Sequence, residues 1–495
     1  MRHLPRTTTA LLAVLLVVST LGAKEPPVLE VNQKIIAFER SQSQVMANLQ
    51  HLSDVIGARL TGSEQLKRAN EWVAERFKEY GLTNVRQEAW TLNRGWRRGA
   101  AAARLIEPNN QALTIASAGW APGTNGPVTG NAILVDVKTD EDLAKYQGKL
   151  KGRIILAGAP RNPNAGMFMP PPPQPGQPTQ PPQDRMQMYR RIMELRRKTN
   201  DLFRSEGVGL IVRDAGKAHG LFTMASAGTS DEAGKIDVGP TPTIYMAHEH
   251  YAMIYRLLER NSNVTLEVNV TNSATPGPVE VFNTVGEIRG TERPDEVVIL
   301  GAHLDSWDLG TGATDNGAGC MAVLEAARAL TSVGARPKRT IRFVMFTGEE
   351  QGLMGATEYV KAHRHELAKI SAVLVMDSGT GKITGIPLQG NQAAKPVLEE
   401  ALASLRELGV TEITLTNEYG TDHLPFDSAG VPAFAVNQDL AEYAKTHHSQ
   451  TDTFDKALKD DLVQASTVLA VAAYNIAQLP SLLPRKTVKP AATGY

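Results

Sequence analysis

The sequence is poor in cysteine, has no surplus of either charge and, past its first few residues, lacks a long apolar run. Each shortage excludes something. With Cys320 as the single cysteine in 495 residues, no intrachain disulfide can form, so buried apolar surface must hold the fold. That thiol lies in the apolar stretch GAGCMAVLEAA, where a buried, inert group is expected rather than a nucleophile. Lys plus Arg and Asp plus Glu number 52 each, a formal net charge of zero. There is therefore no basic field for nucleic acid and no polybasic surface for a membrane. A small or peptide-like substrate is the expected partner, with a second copy of the chain, a homodimer, as another. No internal stretch reaches the roughly 20 apolar residues that span a bilayer, and no internal repeat occurs.

The N-terminus does carry the layout of a secretory signal: Arg2 and Arg6, an apolar run over 10–18, then small residues before Lys24. Cleavage is expected after Ala23, which would make the mature chain secreted or periplasmic. At 42% hydrophobic and 21% charged residues the composition is globular. The length exceeds one ordinary core and favours at least two domains.

Along the chain, Leu66, Ala69, Val73, Phe77 and Tyr80 recur at helical spacing, which predicts an amphipathic helix over 64–80 closed by Gly81. Residues 84–115 alternate like strands. From about 119 to 276 the runs AILVDV, GRIILA, VGLIVRD and TPTIYM read as short strands. The proline-rich 169–183 within that region reads as an exposed loop, and 184–203 as a basic helix with a solvated face. After Pro278, strands (VVIL, TIRFVMF, SAVLVM, ITLT, PAFAV) alternate with helices over 319–333, 352–365, 395–408 and 458–477. That alternation predicts an α/β fold with a mixed, mainly parallel sheet sandwiched by helices.

In such a sheet ligands collect beyond the carboxyl ends of the strands. His303 follows VVIL, Glu349 and Glu350 follow FVMF, and Asp377 follows VLVM. Asp315 lies in the glycine-rich TGATDNGAG, where backbone can approach an ion, and is the natural bridge between two metals. His303 and Asp377 can complete one metal, and Glu350 with His448 the other. Three carboxylates plus one hydroxide balance two dications. Glu349, the free neighbour of a ligand, suits a general base, and Asp305 suits the fixing of an imidazole tautomer. The pairs His248/His250 and His363/His365 lack such a setting and read as surface residues.

The segments GAHLDSWDLGTGATDNGAG, FTGEEQGLMGA, VMDSGTG, YGTDHLPFDSAGVPAF and HHSQTDT resemble, in order, the signatures of the secreted co-catalytic di-zinc exopeptidase family of leucyl aminopeptidase and carboxypeptidase Q type. The resemblance spans most of 278–479. It implies the zinc exopeptidase fold, two zinc ions, metal ligands at His303, Asp315, Glu350, Asp377 and His448, and Glu349 as base. His448 rather than His447 is implied because the family histidine precedes an aspartate by four residues, here Asp452. An oxyanion-stabilising tyrosine of some relatives would fall near Tyr419, although the spacing to Asp422 is one residue short. The implied domains are a signal peptide (1–23), the first part of the peptidase domain (24–118), an inserted β-rich protease-associated domain (119–276), the main metallopeptidase domain (277–480) and a tail (481–495). Aminopeptidase action is expected first and carboxypeptidase or dipeptidase action second. A glutaminyl-cyclase-like acyl transferase and a non-catalytic receptor-like protein are the remaining alternatives.

Overall fold

A computed structural model describes residues 27–163, 182–230, 235–275, 277–440 and 442–486. The expected signal segment lies outside these residues, as does the proline-rich stretch up to 181. The last two residues of that stretch open the helix Pro182–Glu206.

Six strands form the main sheet: β1 (Thr83–Leu92), β2 (Val279–Ile288), β3 (Arg293–His303), β4 (Arg339–Phe346), β5 (Ile370–Val375) and β6 (Ala433–Ala435), in the spatial order β1-β2-β4-β3-β5-β6. β1, β2 and β4 pair antiparallel, whereas β4, β3, β5 and β6 run parallel. All eight residues of β4 and all six of β5 are buried, as expected where both faces of a parallel sheet are covered. Successive side chains of β3 point to opposite faces. Val298 and Leu300 enter one apolar cluster, and Val297 and Ile299 another with Phe346, Tyr359 and Phe426.

The first cluster is filled by α3 (Ala318–Ser332) and α5 (Lys459–Ala477), which pack on each other against the sheet. Helix α3 is buried almost all round, so its sequence is apolar nearly without a polar stripe. Helix α4 (Met354–Ala362) covers the opposite face. At the N-terminal end, α1 (Val28–Gln42) lies along α5. The predicted amphipathic helix is α2 (Glu64–Glu79). Ser63 caps it by accepting the Leu66 N–H at 3.2 Å, and Leu66, Ala69, Val73 and Phe77 are its buried stripe.

Between β1 and β2 the chain builds a second sheet of eight strands. Its spatial order is Gln111–Leu113, Ala101–Glu107, Thr265–Val270, Val128–Val135, Ile154–Ala157, Leu210–Asp214, Thr243–Met246 and Ile115–Ser117. Three of these strands precede residue 119, so the expected boundary there falls inside the sheet rather than at its edge. The cause is pairing at a distance: Ala101–Glu107 bonds to Thr265–Val270, and Ile115–Ser117 to Thr243–Met246. A second difference concerns ITLT. Its strand, Glu412–Thr414, joins a separate three-stranded sheet with Ile383–Pro387 and Asn437–Gln438 instead of extending the main one.

Candidate metal centre

The carboxyl ends of β3, β4 and β5 converge, and the loops leaving them carry the expected residues. His303 is the last residue of β3 and is fully buried. Its Nδ1 bonds the main-chain oxygen of Asp305 at 3.0 Å, which assigns the proton to Nδ1 and leaves Nε2 as a lone-pair donor. Nε2 lies 2.9 Å from Asp377 Oδ1, 3.4 Å from Asp315 Oδ1 and 3.9 Å from Glu349 Oε2. Asp305 thus holds the ring chiefly through its main chain, with its carboxylate 3.6 Å away. That carboxylate accepts the Thr61 hydroxyl at 2.7 Å and the Glu349 N–H at 3.3 Å.

On the other side of Asp315, His448 has the same arrangement. Its Nδ1 bonds the Met224 main-chain oxygen at 3.1 Å, while Nε2 stands 3.0 Å from Glu350 Oε2 and 3.5 Å from Asp315 Oδ2. Asp315 therefore faces both imidazoles, one with each oxygen. It is fixed by Asp452, whose carboxylate accepts the N–H groups of Thr314 and Asp315 at 2.5 and 3.2 Å. Burial and the neighbouring Asp315 charge push the Asp452 carboxyl up to about 7.

Several groups here are under-satisfied by protein alone. Asp315 Oδ2 and Glu350 Oε1 are buried without a hydrogen-bond partner. Burial raises the Glu349 carboxyl well above its ordinary range, His303 pulls it back, and Asp377 and Glu350 push it up again. So many carboxylates in one buried volume demand cations. His303, Glu349 and Asp377 offer one set of donor atoms within 4.8 Å of one another, and Asp315, His447 and His448 another. Imidazole nitrogens with carboxylate oxygens, their outer nitrogens fixed by carbonyls, form a donor set suited to zinc.

Not every expected residue enters the cluster. Tyr419 is 42% exposed and its hydroxyl accepts from Asn417, so the sequence neighbourhood that suggested an oxyanion role does not bring it inward. His447 stacks on His448 with ring centroids 3.7 Å apart and puts Nε2 3.9 Å from Asp315 Oδ2. Burial keeps it neutral by lowering its pKa. In the other histidine pairs His365 is exposed as expected, but His248 and His363 are not free surface residues. His248 Nδ1 bonds Asp214 at 3.0 Å, and His363 sits between Glu88 and Glu366.

Three neighbours of the site were given no role from the sequence, although Asp422 lies in the YGTDHLPFDSAGVPAF signature. Asp422 is fully buried, with both carboxylate oxygens unpartnered, near enough to His303 and Asp377 to feel their charges. The Arg59 guanidinium is fully buried and donates to the main-chain oxygens of Leu304 (2.7 Å), Gly57 (3.1 Å), Thr311 (2.9 Å) and Gly312 (2.7 Å). It staples the loop between His303 and Asp315. Gly312 in that loop has φ +64°, and a Cβ there would meet Ser306 Cβ at 2.3 Å, so only glycine fits. Lys217, from the second sheet unit, donates to the His447 main-chain oxygen at 2.7 Å.

Comparison with known proteins adds context to this geometry. Residues 283–473 match the profile of peptidase family M28. Carboxypeptidase Q of Rattus norvegicus is 30% identical over 452 residues, covering 91% of this chain and 89% of that protein. Among solved structures, a peptidase M28 precursor from Shewanella amazonensis is similar with a TM-score of 0.76 and 26% identity, covering 92% of this chain and 98% of that one. The zinc aminopeptidase BSAP from Bacillus subtilis shares the fold with a TM-score of 0.60 at 20% identity, covering 87% of this chain and 93% of that one.

Proposed function

The chain belongs to peptidase family M28, and on that premise we propose that it is a zinc-dependent exopeptidase that hydrolyses a terminal peptide bond of peptides or dipeptides. The observation that carries the reading is the convergence of His303, Asp315, Glu350, Asp377 and His448 with unpartnered buried carboxylate oxygens between two imidazole Nε2 atoms. His303 and Asp377 would hold one zinc ion, Glu350 and His448 the other, and Asp315 both. When bound, the two ions would polarise the scissile carbonyl and lower the pKa of a water molecule.

The chain's own residues then direct the proton. Glu349 takes a proton from the attacking water and delivers it to the leaving nitrogen, as a C–O bond forms and the C–N bond breaks. Its main-chain N–H is anchored on Asp305, which keeps the carboxylate beside His303. Asp452 holds the backbone of Asp315, and the carbonyls of Asp305 and Met224 hold the two imidazoles in one tautomer. The second sheet unit is read as a protease-associated insertion that walls the site. The leader over 1–23 is read as directing export.

The zinc assignment draws on the donor set and on BSAP, a zinc aminopeptidase of the same fold. On the direction of attack the relatives differ: carboxypeptidase Q of Rattus norvegicus, matched over 91% of this chain, is by name a carboxypeptidase, whereas BSAP, covering 87%, is an aminopeptidase. Free dipeptides and tripeptides should be hydrolysed in a chelator-sensitive manner, and capping one terminus should abolish cleavage. Undiminished turnover after exhaustive chelation, or equal cleavage of doubly capped peptides, would sink the reading.

A further inference from the structure

The second sheet unit sends one cation to the metal centre. Lys217 lies in the turn that follows strand Leu210–Asp214, between Gly216 and Ala218. Its Nζ reaches the main-chain oxygen of His447, the residue before His448. Around it the same loop grips the same segment: the Met224 N–H donates to the His448 oxygen at 2.8 Å, the Phe222 N–H to Gln450 Oε1 at 3.0 Å, and Gln450 Nε2 to the Gly220 oxygen at 2.9 Å. The ammonium is thus held in place by a rigid clamp rather than by its own flexible stem.

An ammonium has three donors, and one is used here. Among the described residues no carboxylate forms an ion pair with it, although it is partly buried and feels the charges of Asp315 and Asp452. A partly buried cation without a paired anion is costly unless something anionic visits it. Asp452 is already committed to two backbone N–H groups, and Asp315 lies between the two imidazoles, where the proposed reading gives it to the metals. The remaining anion that a peptide hydrolase meets at this place is its substrate's own terminus.

We propose that Lys217 receives the free C-terminal carboxylate of the substrate, so that the enzyme selects short peptides ending in an unblocked carboxyl group close to the scissile bond. The assignment rests on the hydrolase reading and deepens it by fixing the substrate class. It also gives the second sheet unit a part in specificity, because the cation comes from that unit and the metal ligands from the other.

The test compares a dipeptide with its C-terminal amide on the intact, metal-loaded enzyme. The wild type should favour the acid. Lys217→Gln keeps a donor for the His447 oxygen but removes the charge, and Lys217→Met removes both. Each should lower the acid-to-amide ratio of kcat/KM by about 10- to 100-fold, the size of a charge-assisted hydrogen bond, mainly through KM, with zinc content per chain unchanged. Lys217→Arg should keep most of the preference. The inference is overturned if the wild type cleaves acid and amide equally, if Lys217→Gln retains the wild-type ratio, or if both substrates lose activity in parallel. Failure of the wild type to cleave either substrate would overturn the hydrolase reading itself, and the inference with it.

Discussion

Glu349 and Glu350 are adjacent, and the proposed mechanism gives them different roles. Glu350 Oε2 faces His448 Nε2 at 3.0 Å and its side chain is 2% exposed, whereas Glu349 is 11% exposed and belongs with His303 and Asp377. With Glu349 as the proposed base and Glu350 as a proposed ligand, Glu349→Gln should leave zinc content intact while kcat falls about 10²- to 10⁴-fold, the usual contribution of a positioned acid-base group. Glu350→Gln should lose zinc as well as activity. Metal analysis alongside turnover separates the two, and zinc loss in Glu349→Gln would count against the assignment. His303, Glu350 and Asp377 were expected as ligands because they follow apolar strand runs, whose ends converge in a parallel sheet, whereas Asp315 was picked from its glycine-rich turn and His448 over His447 from the family resemblance. Asp422 was not assigned a role, because its importance lies in burial beside Asp377, which no local spacing encodes. Tyr419 shows the reverse error: a motif neighbour that the backbone turns outward to solvent.

Secondary elements set these residues in place through contacts that periodicity alone does not reveal. Arg59 lies in the segment before α2 and bonds four main-chain oxygens, three of them in the loop that joins the two ends of the metal site. Removing the guanidinium strands those carbonyls at about 1–3 kcal/mol each. Arg59→Met should accordingly lower Tm and weaken zinc retention together, read by calorimetry and by chelator competition. A lower Tm with unchanged zinc affinity would show the staple to be structural only. Helix α4 carries a second device at its end. Burial opposes charge on His363, but its bonds to Glu366 and Glu88 override this and raise its pKa to about 9 from 6.5. Burial likewise opposes Glu366, but His363 and Arg342 bring it down to about 2 from 4.5. The His363 contribution is thus fully present below pH 6.5 and lost as pH rises through 9, while that of Glu366 is present above pH 4.5 and lost as pH falls through 2. His363→Gln should destabilise the protein clearly at pH 6.5 and little above pH 9. A pH-independent Tm difference between the variant and the wild type would contradict the linkage. The helices Glu64–Glu79, Ala318–Ser332, Met354–Ala362 and Lys459–Ala477 were legible in the sequence, whereas Val28–Gln42 and His248–Glu259 were not read from it. The ion pairs of His363 were not legible, because their partners come from β1 and from the loop after α4.

Among the described residues the two largest sheets belong to two units that touch beside the candidate metal centre. The strand alternation of the second half was enough to indicate the main sheet, but the extent of the second unit was not legible, since its strands Ala101–Glu107 and Ile115–Ser117 pair across more than a hundred residues of chain. Several contacts between the units lie near the site. Trp120 Nε1 donates to Gln351 Oε1 at 2.8 Å, beside Glu350. Arg98 pairs with Asp308 at 2.7 Å, and the Met224 N–H bonds the His448 oxygen. Phe222, Met224, Leu304 and Trp307 share one buried cluster. Zinc bound only by the folded state adds RT ln(1 + [L]/Kd), about 4 kcal/mol at a thousandfold excess over Kd. Since His448 is held by the second unit, that stabilisation should reach both units. Chelation should lower Tm and raise amide hydrogen exchange in residues 220–226 together with 446–452. The strand Gln111–Leu113, at the far edge of the second sheet, should stay protected. If exchange rose around 446–452 alone, the clamp would be passive, and the second unit would stand beside the metal centre without sharing its energy.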